Sequence, residues 1–229
     1  MGHSKKALIV LTSHDKLADT GSKTGFWLSE LTHPYFELVD GGITVETVSI
    51  QGGEAPIDPS SMDLEDAANK RFLDDSSTAA LIKSTKRLDE IASKDFDAII
   101  FAGGHGTMWD FPAHASVKLL SKEIYEHGGV IAAICHGPCA LINITLSNGE
   151  YLITNKKVTG FSNQEEDEVQ QTQNMPFSLE DALKERKADF QAKAPWTDHA
   201  VTDERLVTGQ NPQSAISVGK AVLALLNKA

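Results

Sequence analysis

The chain has 229 residues, 41% of them hydrophobic and 23% charged, with a formal net charge of −11. That length and apolar share suffice for one large core, read as a single domain over 1–229. The negative charge argues against nucleic acid or an anionic membrane as partner, and no apolar run approaches the roughly 18 residues of a membrane span. The run Ala7-Leu8-Ile9-Val10-Leu11 is too short for a signal-peptide core with its cleavage site and reads as a first strand. Two cysteines outside any disulfide framework point to a reducing, cytoplasmic setting.

Taken in order, Lys5 to Thr12 reads as a parallel strand buried on both faces. Ser13 to Lys23 is a polar loop at its carboxyl end. Thr24 to Val39 reads as a helix, with Glu30 set among Trp27, Leu28 and Leu31. Most helix glutamates rotate to solvent, which is the favoured reading of Glu30 taken alone, against a functional one. Ile43 to Ile50 is a second strand and Gln51 to Met62 a loop. Asp63 to Leu73 and Ser77 to Ile91 read as helices, the second capped by Ser76 or Ser77. Phe96 to Phe101 is a strand that ends in Ala102-Gly103-Gly104-His105-Gly106-Thr107. Such a glycine-rich turn lets backbone N–H groups face a ligand. It has neither the dinucleotide spacing nor the lysine of a phosphate loop, so donors for an oxyanion are the better reading, against a plain tight turn.

Ala115 to His127 is a helix closed by Gly128-Gly129. Val130 to Ile134 then reads as a buried strand that stops at Cys135-His136-Gly137-Pro138, where an apolar helical pattern begins. A strand turning sharply into a helix around one reactive residue is a nucleophile elbow, here Ala133-Ile134-Cys135-His136-Gly137. Pro138 suits a first helical turn, and free N–H groups at that point favour a thiolate. The competing reading of Cys135 is a buried, inert thiol. Cys139, four residues on, reads as a small core side chain. With only His136 between them, the two cysteines make a poor zinc site.

Asn148 to Lys157 is a polar loop or hairpin and Val158 to Phe161 a short strand. Ser162-Asn163-Gln164-Glu165-Glu166-Asp167-Glu168 is a charge run that reads as a capped, solvated helix start, with Glu165 or Glu166 behind the cap. Ser178 to Lys187 is a helix, and Phe190 to Ala194 and Trp196 to Val201 are candidate extended segments. Leu206-Val207-Thr208 is the last strand and Ser214 to Lys228 the closing helix. Strands alternating with helices define an α/β, doubly wound, mostly parallel sheet. Its ligands belong outside the carboxyl ends of the strands, where the first loop with the Glu30 helix, the glycine turn and the elbow converge.

Four stretches together, Ala102-Gly103-Gly104-His105-Gly106, Ala133-Ile134-Cys135-His136-Gly137-Pro138, Val158-Thr159-Gly160-Phe161-Ser162-Asn163 and Leu206-Val207-Thr208-Gly209-Gln210-Asn211-Pro212, resemble the ThiJ/PfpI superfamily. The Glu30 helix and the Gly-Phe-Ser-Asn-x-Glu-Glu stretch are similar to its class I glutamine-amidotransferase-like branch of heat-shock chaperones and glutathione-independent glyoxalases (glyoxalase III). The resemblance spans nearly the whole chain. It implies a flavodoxin-like fold, a homodimer and no cofactor or metal. It implies Cys135 as nucleophile, His136 as its partner, Glu30 hydrogen-bonded to the sulfur, and Glu166 as third acid with Glu165 as fallback. The oxyanion donors would be the N–H groups of Gly104 and His136, with His105 lining the pocket. The implied reaction converts methylglyoxal, a small α-oxoaldehyde, and water to lactate through a Cys135 hemithioacetal, with His136 or Glu30 moving the carbon-bound proton, Glu30 being the better base if burial raises its pKa toward neutrality. Because Cys135 and His136 are adjacent, the elbow must turn their side chains toward each other. Other readings are a holdase chaperone, carried by exposed apolar surface and not by Cys135, and, on the same elbow, a deglycase, a redox sensor or an amidase or peptidase.

Overall fold

In a computed structural model, which describes residues 4–228, a seven-stranded sheet runs through the molecule with helices on both faces. β1 (Lys6–Leu11) enters the core, and α1 (Leu28–Asp40) and β2 (Thr44–Ser49) follow. Two short helices, α2 (Ala67–Asp74) and α3 (Ser76–Lys83), precede β3 (Lys86–Arg87). Next come β4 (Ala98–Phe101), the single turn α4 (Thr107–Asp110), α5 (Ala115–Glu126) and β5 (Val130–Ile134). The remainder is β6 (Lys157–Val158), α6 (Asn163–Glu168), α7 (Leu179–Glu185), β7 (Asp189–Phe190), β8 (Ala200–Asp203), β9 (Leu206–Gly209) and α8 (Ala215–Leu226).

The sheet order is β3-β2-β1-β4-β5-β9-β8, parallel except for β8 against β9. β6 and β7 pair by themselves in a small second sheet. The central strands β1, β4 and β5 are continuous apolar runs because both faces are covered, and nearly every side chain in them is fully buried. From β1 the chain moves outward to β2 and β3, then returns to β4 on the other side. The order reverses between β1 and β4, which opens a crevice at their carboxyl ends. No helix among the described residues is long and apolar enough to cross a membrane.

Several boundaries depart from the sequence expectations, each through a tertiary contact. The first helix starts at Leu28, not Thr24, because Phe26 pairs as an isolated bridge with Ile57, its N–H donating to the Pro56 carbonyl at 2.9 Å. The Trp27 N–H donates to the Gly103 carbonyl at 3.0 Å, which pins the start of α1 to the glycine turn. The helix expected from Asp63 begins at Ala67, where the Asp66 carboxylate accepts the Ala68 and Asn69 N–H groups. Asp75, not Ser76 or Ser77, caps α3. That helix stops at Lys83, well short of Ile91. The Thr85 hydroxyl bonds the Gly53 carbonyl and Ser49 Oγ, both at 2.7 Å, and draws the chain into the edge strand β3.

After the elbow there is a 3-10 turn, Gly137–Leu141, and not a helix. Arg186 takes the Ile142 carbonyl at 2.9 Å and Asn143 Oδ1 at 3.1 Å, while the Asn143 amide donates to the Pro112 carbonyl at 2.9 Å. The Ile142 carbonyl would otherwise serve a continuing helix. Gly137 lets this turn close on β4: a Cβ there would lie 2.4 Å from the Phe101 carbonyl oxygen. Gly137→Ala is therefore expected to lower the urea midpoint by the equivalent of about 1–3 kcal/mol, the scale of overpacking a close-packed interior. An unchanged midpoint would show that the elbow has slack.

Candidate active site

β5 delivers Cys135 into the crevice in a left-handed backbone conformation, φ +60°. An L residue adopts it only when its surroundings hold it there. Both sides of the peptide are fixed: the Cys135 N–H donates to the Gly209 carbonyl at 2.9 Å and its carbonyl accepts the Phe161 N–H at 2.8 Å. The twist turns the thiol toward the next residue, so that Cys135 Sγ lies 3.4 Å from His136 Nδ1. The adjacency that the sequence left as a geometric demand is met by this one dihedral.

On its far side His136 Nε2 lies 2.6 Å from Glu166 Oε2, and the second carboxylate oxygen lies 2.8 Å from His105 Nε2. The two imidazoles therefore share one carboxylate, with ring centroids 4.3 Å apart. Burial works to raise the Glu166 pKa. The His136 charge, together with hydrogen bonds from His105 and His136, outweighs it and holds the carboxyl well below the usual range. An ionised Glu166 accepts Nε2–H from both rings, which leaves the His136 Nδ1 lone pair facing the thiol. Burial, only partly offset by the Glu166 charge, lowers the His136 pKa, so the ring is a neutral base near pH 7.

The charge run read as a solvated helix start is buried at its two central residues. Ser162 and Glu165 form the capping box of α6, Glu165 Oε2 accepting from both the N–H and the hydroxyl of Ser162. Glu165 Oε1 accepts from the Trp196 N–H at 3.0 Å and from Asn211 Nδ2 at 2.8 Å. Glu165 thus ties three segments together, and its neighbour Glu166 alone reaches the imidazoles.

Glu30, in the first turn of α1, is fully buried. Its Oε2 accepts the Gly103 N–H at 2.7 Å, and its Oε1 has no hydrogen bond of good geometry. Burial pushes its carboxyl up to about 8, against smaller lowering effects from the Cys135 side chain and the Gly103 N–H. For Cys135, burial first and then the Glu30 charge push the thiol pKa up. The two acids are coupled and compete to stay uncharged. While Glu30 keeps its proton, its charge no longer opposes the thiolate, and its carboxyl can donate toward sulfur. The helix dipole invoked from sequence is reduced to one 3-10 turn, so this neighbour matters more than the helix end.

Gly103 lets the turn pass between Glu30 and the elbow: a Cβ there would stand 2.5 Å from Glu30 Oε2 and 2.8 Å from the His136 nitrogen. Gly104 and His105 line the cleft beside Cys135 and His136. Cys139 is fully buried and its thiol donates to the Thr107 carbonyl at 3.3 Å, a core residue as read from sequence. His105, His136 and Glu166 bring ligand atoms within 4.8 Å of one another, a donor set suited to a zinc-like ion. Those nitrogen and oxygen atoms are engaged with each other. An ion there would also remove the Nε2–H bond that keeps Nδ1 free toward Cys135.

Sequence reasoning missed the outer half of the cleft. Trp27 just before α1, Ser29 and His33 in it, and Ser60, Asp63 and Asp66 from the segment after β2 also line the cleft, whose volume is about 410 Å³. The available signal was Ser60-Ser61, which read as loop, and Asp63 and Asp66, which read as the start of a helix.

Residues 22–225 match the DJ-1/PfpI family. Glutathione-independent glyoxalase HSP31 of Saccharomyces cerevisiae is 35% identical, covering 97% of this chain and 99% of that protein. The crystal structure of glyoxalase III from Candida albicans superposes with a TM-score of 0.88 at 30% identity, over 97% of this chain and 98% of that one. The structure of Francisella tularensis Rapid Encystment Protein 24 KDa gives 0.94 at 48% identity, over 97% and 99%. The chain belongs to the DJ-1/PfpI family.

The raised carboxyl of Glu30 has a measurable consequence. Its folded pKa, about 8, lies above the ordinary 4.5, so the folded state holds the proton more tightly than the unfolded one. The associated stability is fully present below the unfolded pKa and is lost as pH rises through the folded pKa. Urea unfolding of the natural protein and Glu30→Gln between about pH 5 and about pH 8 should show the variant gaining relative stability as pH rises, by at most about 1.4 kcal/mol per pH unit. Parallel curves would place the Glu30 pKa in the ordinary range.

Proposed function

We propose that this protein is a glutathione-independent glyoxalase that converts methylglyoxal and water to lactate. The observation that carries the reading is the Cys135–His136–Glu166 chain, whose Cys135 and His136 line the cleft, in a chain whose full-length relatives are named as glyoxalases.

His136 Nδ1 takes the thiol proton, and the resulting imidazolium is stabilised by Glu166. The thiolate adds to the aldehyde carbon, forming a C–S bond and leaving negative charge on oxygen. No acceptor among the described residues engages the N–H of Gly104 or His136, so both are free to donate to that oxygen. The imidazolium returns its proton to the oxygen and completes the hemithioacetal. Nδ1, neutral again, removes the proton from the first carbon and places it on the second through an enediol. Of the two bases considered, His136 fits this step better, because Glu30 keeps its proton near neutral pH and a neutral carboxyl donates. The first carbon is now a thioester and the second an alcohol. Water, activated by the same nitrogen, hydrolyses the thioester to lactate and frees the thiol. Oxidation at one carbon balances reduction at the next.

The same reading takes the protein as a homodimer in the cytoplasm, acting on a small molecule without nucleic acid or membrane; size-exclusion chromatography with light scattering tests the dimer. Methylglyoxal consumption and lactate formation, without glutathione, test the activity. Cys135→Ala and His136→Ala should lose at least about a thousandfold in kcat, and Glu166→Gln roughly a hundredfold, within the range of general-base losses. A natural protein that makes no lactate, or a Cys135→Ala variant that matches it, would sink the proposal.

A further inference from the structure

The cleft is much larger than a three-carbon substrate. At about 410 Å³ it lies within the range of sites that enclose drug-sized ligands, and Cys135 is one residue of a lining drawn from several segments. The surplus is an arm between the first turns of α1 and the 59–69 segment. Three bonds fix it in shape. The Leu28 N–H donates to Ser61 Oγ at 3.0 Å, the Thr32 hydroxyl to Asn69 Oδ1 at 2.6 Å, and His33 Nε2 pairs with Asp66 Oδ2 at 2.8 Å. Helix and loop are therefore locked together, and the arm is preformed.

Three of the polar groups left over can serve a hydroxylated ligand. The hydroxyls of Ser29 and Ser60 and the amide of Gln213 line the cleft and hydrogen-bond to no described residue. Each can both donate and accept, as a C–O–H group does. No lysine or arginine among the described residues lines the cleft, whereas Asp63 and Asp66 do. That charge disfavours phosphorylated or carboxylated tails, including glutathione adducts, which carry carboxylates. Trp27, Phe161 and Trp196 supply flat walls for a carbon chain.

We propose that the arm binds a neutral, polyhydroxylated tail, so that the preferred substrate class is α-oxoaldehydes derived from sugars rather than methylglyoxal. This rests on the glyoxalase reading above and uses the same chemistry. The aldehyde carbon becomes a carboxylate with oxygen from water, the adjacent ketone carbon becomes a secondary alcohol, and the hydroxylated tail is unchanged.

The test compares kcat/KM for 3-deoxyglucosone, methylglyoxal and phenylglyoxal, each corrected for its free aldehyde. 3-Deoxyglucosone should exceed methylglyoxal by roughly tenfold or more, mainly through KM, the scale of one or two net hydrogen bonds. Ser60→Phe, at an exposed loop position, and Ser29→Leu should each reduce that ratio by roughly tenfold, as expected for lost hydroxyl contacts. Three results would overturn the proposal: a ratio at or below one, a ratio untouched by both variants, or a preference for phenylglyoxal. With methylglyoxal still turned over, these leave the glyoxalase reading standing. A protein inactive on all three compounds ends both.

Discussion

Cys135 occupies a conformation that costs an L residue on the order of 1–2 kcal/mol, and the surrounding architecture is arranged so that the chain cannot relax out of it. The end of β9 holds its N–H, the strand-to-helix connection at Phe161 holds its carbonyl, and β4 backs the turn that follows. Each comes from a different segment of the chain. The reactive pair is thus a product of the whole parallel core: a sheet that loosened at β9 or β4 would release the dihedral, and Sγ would swing away from Nδ1.

Two acids of opposite character flank that pair. Glu166 receives two imidazole N–H groups and stays ionised in a largely buried place. Glu30 receives one backbone N–H, is sealed from solvent, and keeps its proton. The difference lies in the partners, since both are glutamates near the start of a helix. One fixes which nitrogen of His136 bears the hydrogen, and the other sets the charge opposite sulfur. Such divergence between like residues marks a division of labour between base-orienting and charge-setting roles.

The sequence made the central strands legible because burial on both faces leaves no alternation to misread; β5 was expected at Val130 to Ile134 and lies there. The elbow and the glycine turn were legible because small residues and Pro138 leave few backbone solutions. Glu30 could not be judged from its helix. The Gly103 N–H, 73 positions away, and the Cys135 side chain give it a reason to be buried. The charge run misled for a similar reason: Glu165 and Glu166 look like solvated first-turn acids until Trp196, Asn211 and the two histidines arrive from elsewhere. The start of α1, the edge strand β3 and the missing helix after the elbow were decided by long-range partners that local propensity does not carry. So was the outer arm, which depends on Thr32 meeting Asn69 and His33 meeting Asp66.

The left-handed cysteine also bears on how such a chain would drift if its chemistry ceased to be needed. Glycine at 135 would be freed of the conformational penalty, and an uncharged residue at 30 would be freed of the desolvation of a carboxyl, so both losses of function would move toward greater stability. Selection for folding alone therefore erodes this site. Under the proposed reaction, a lineage that abandons it should shed these two residues before it disturbs the sheet that holds them.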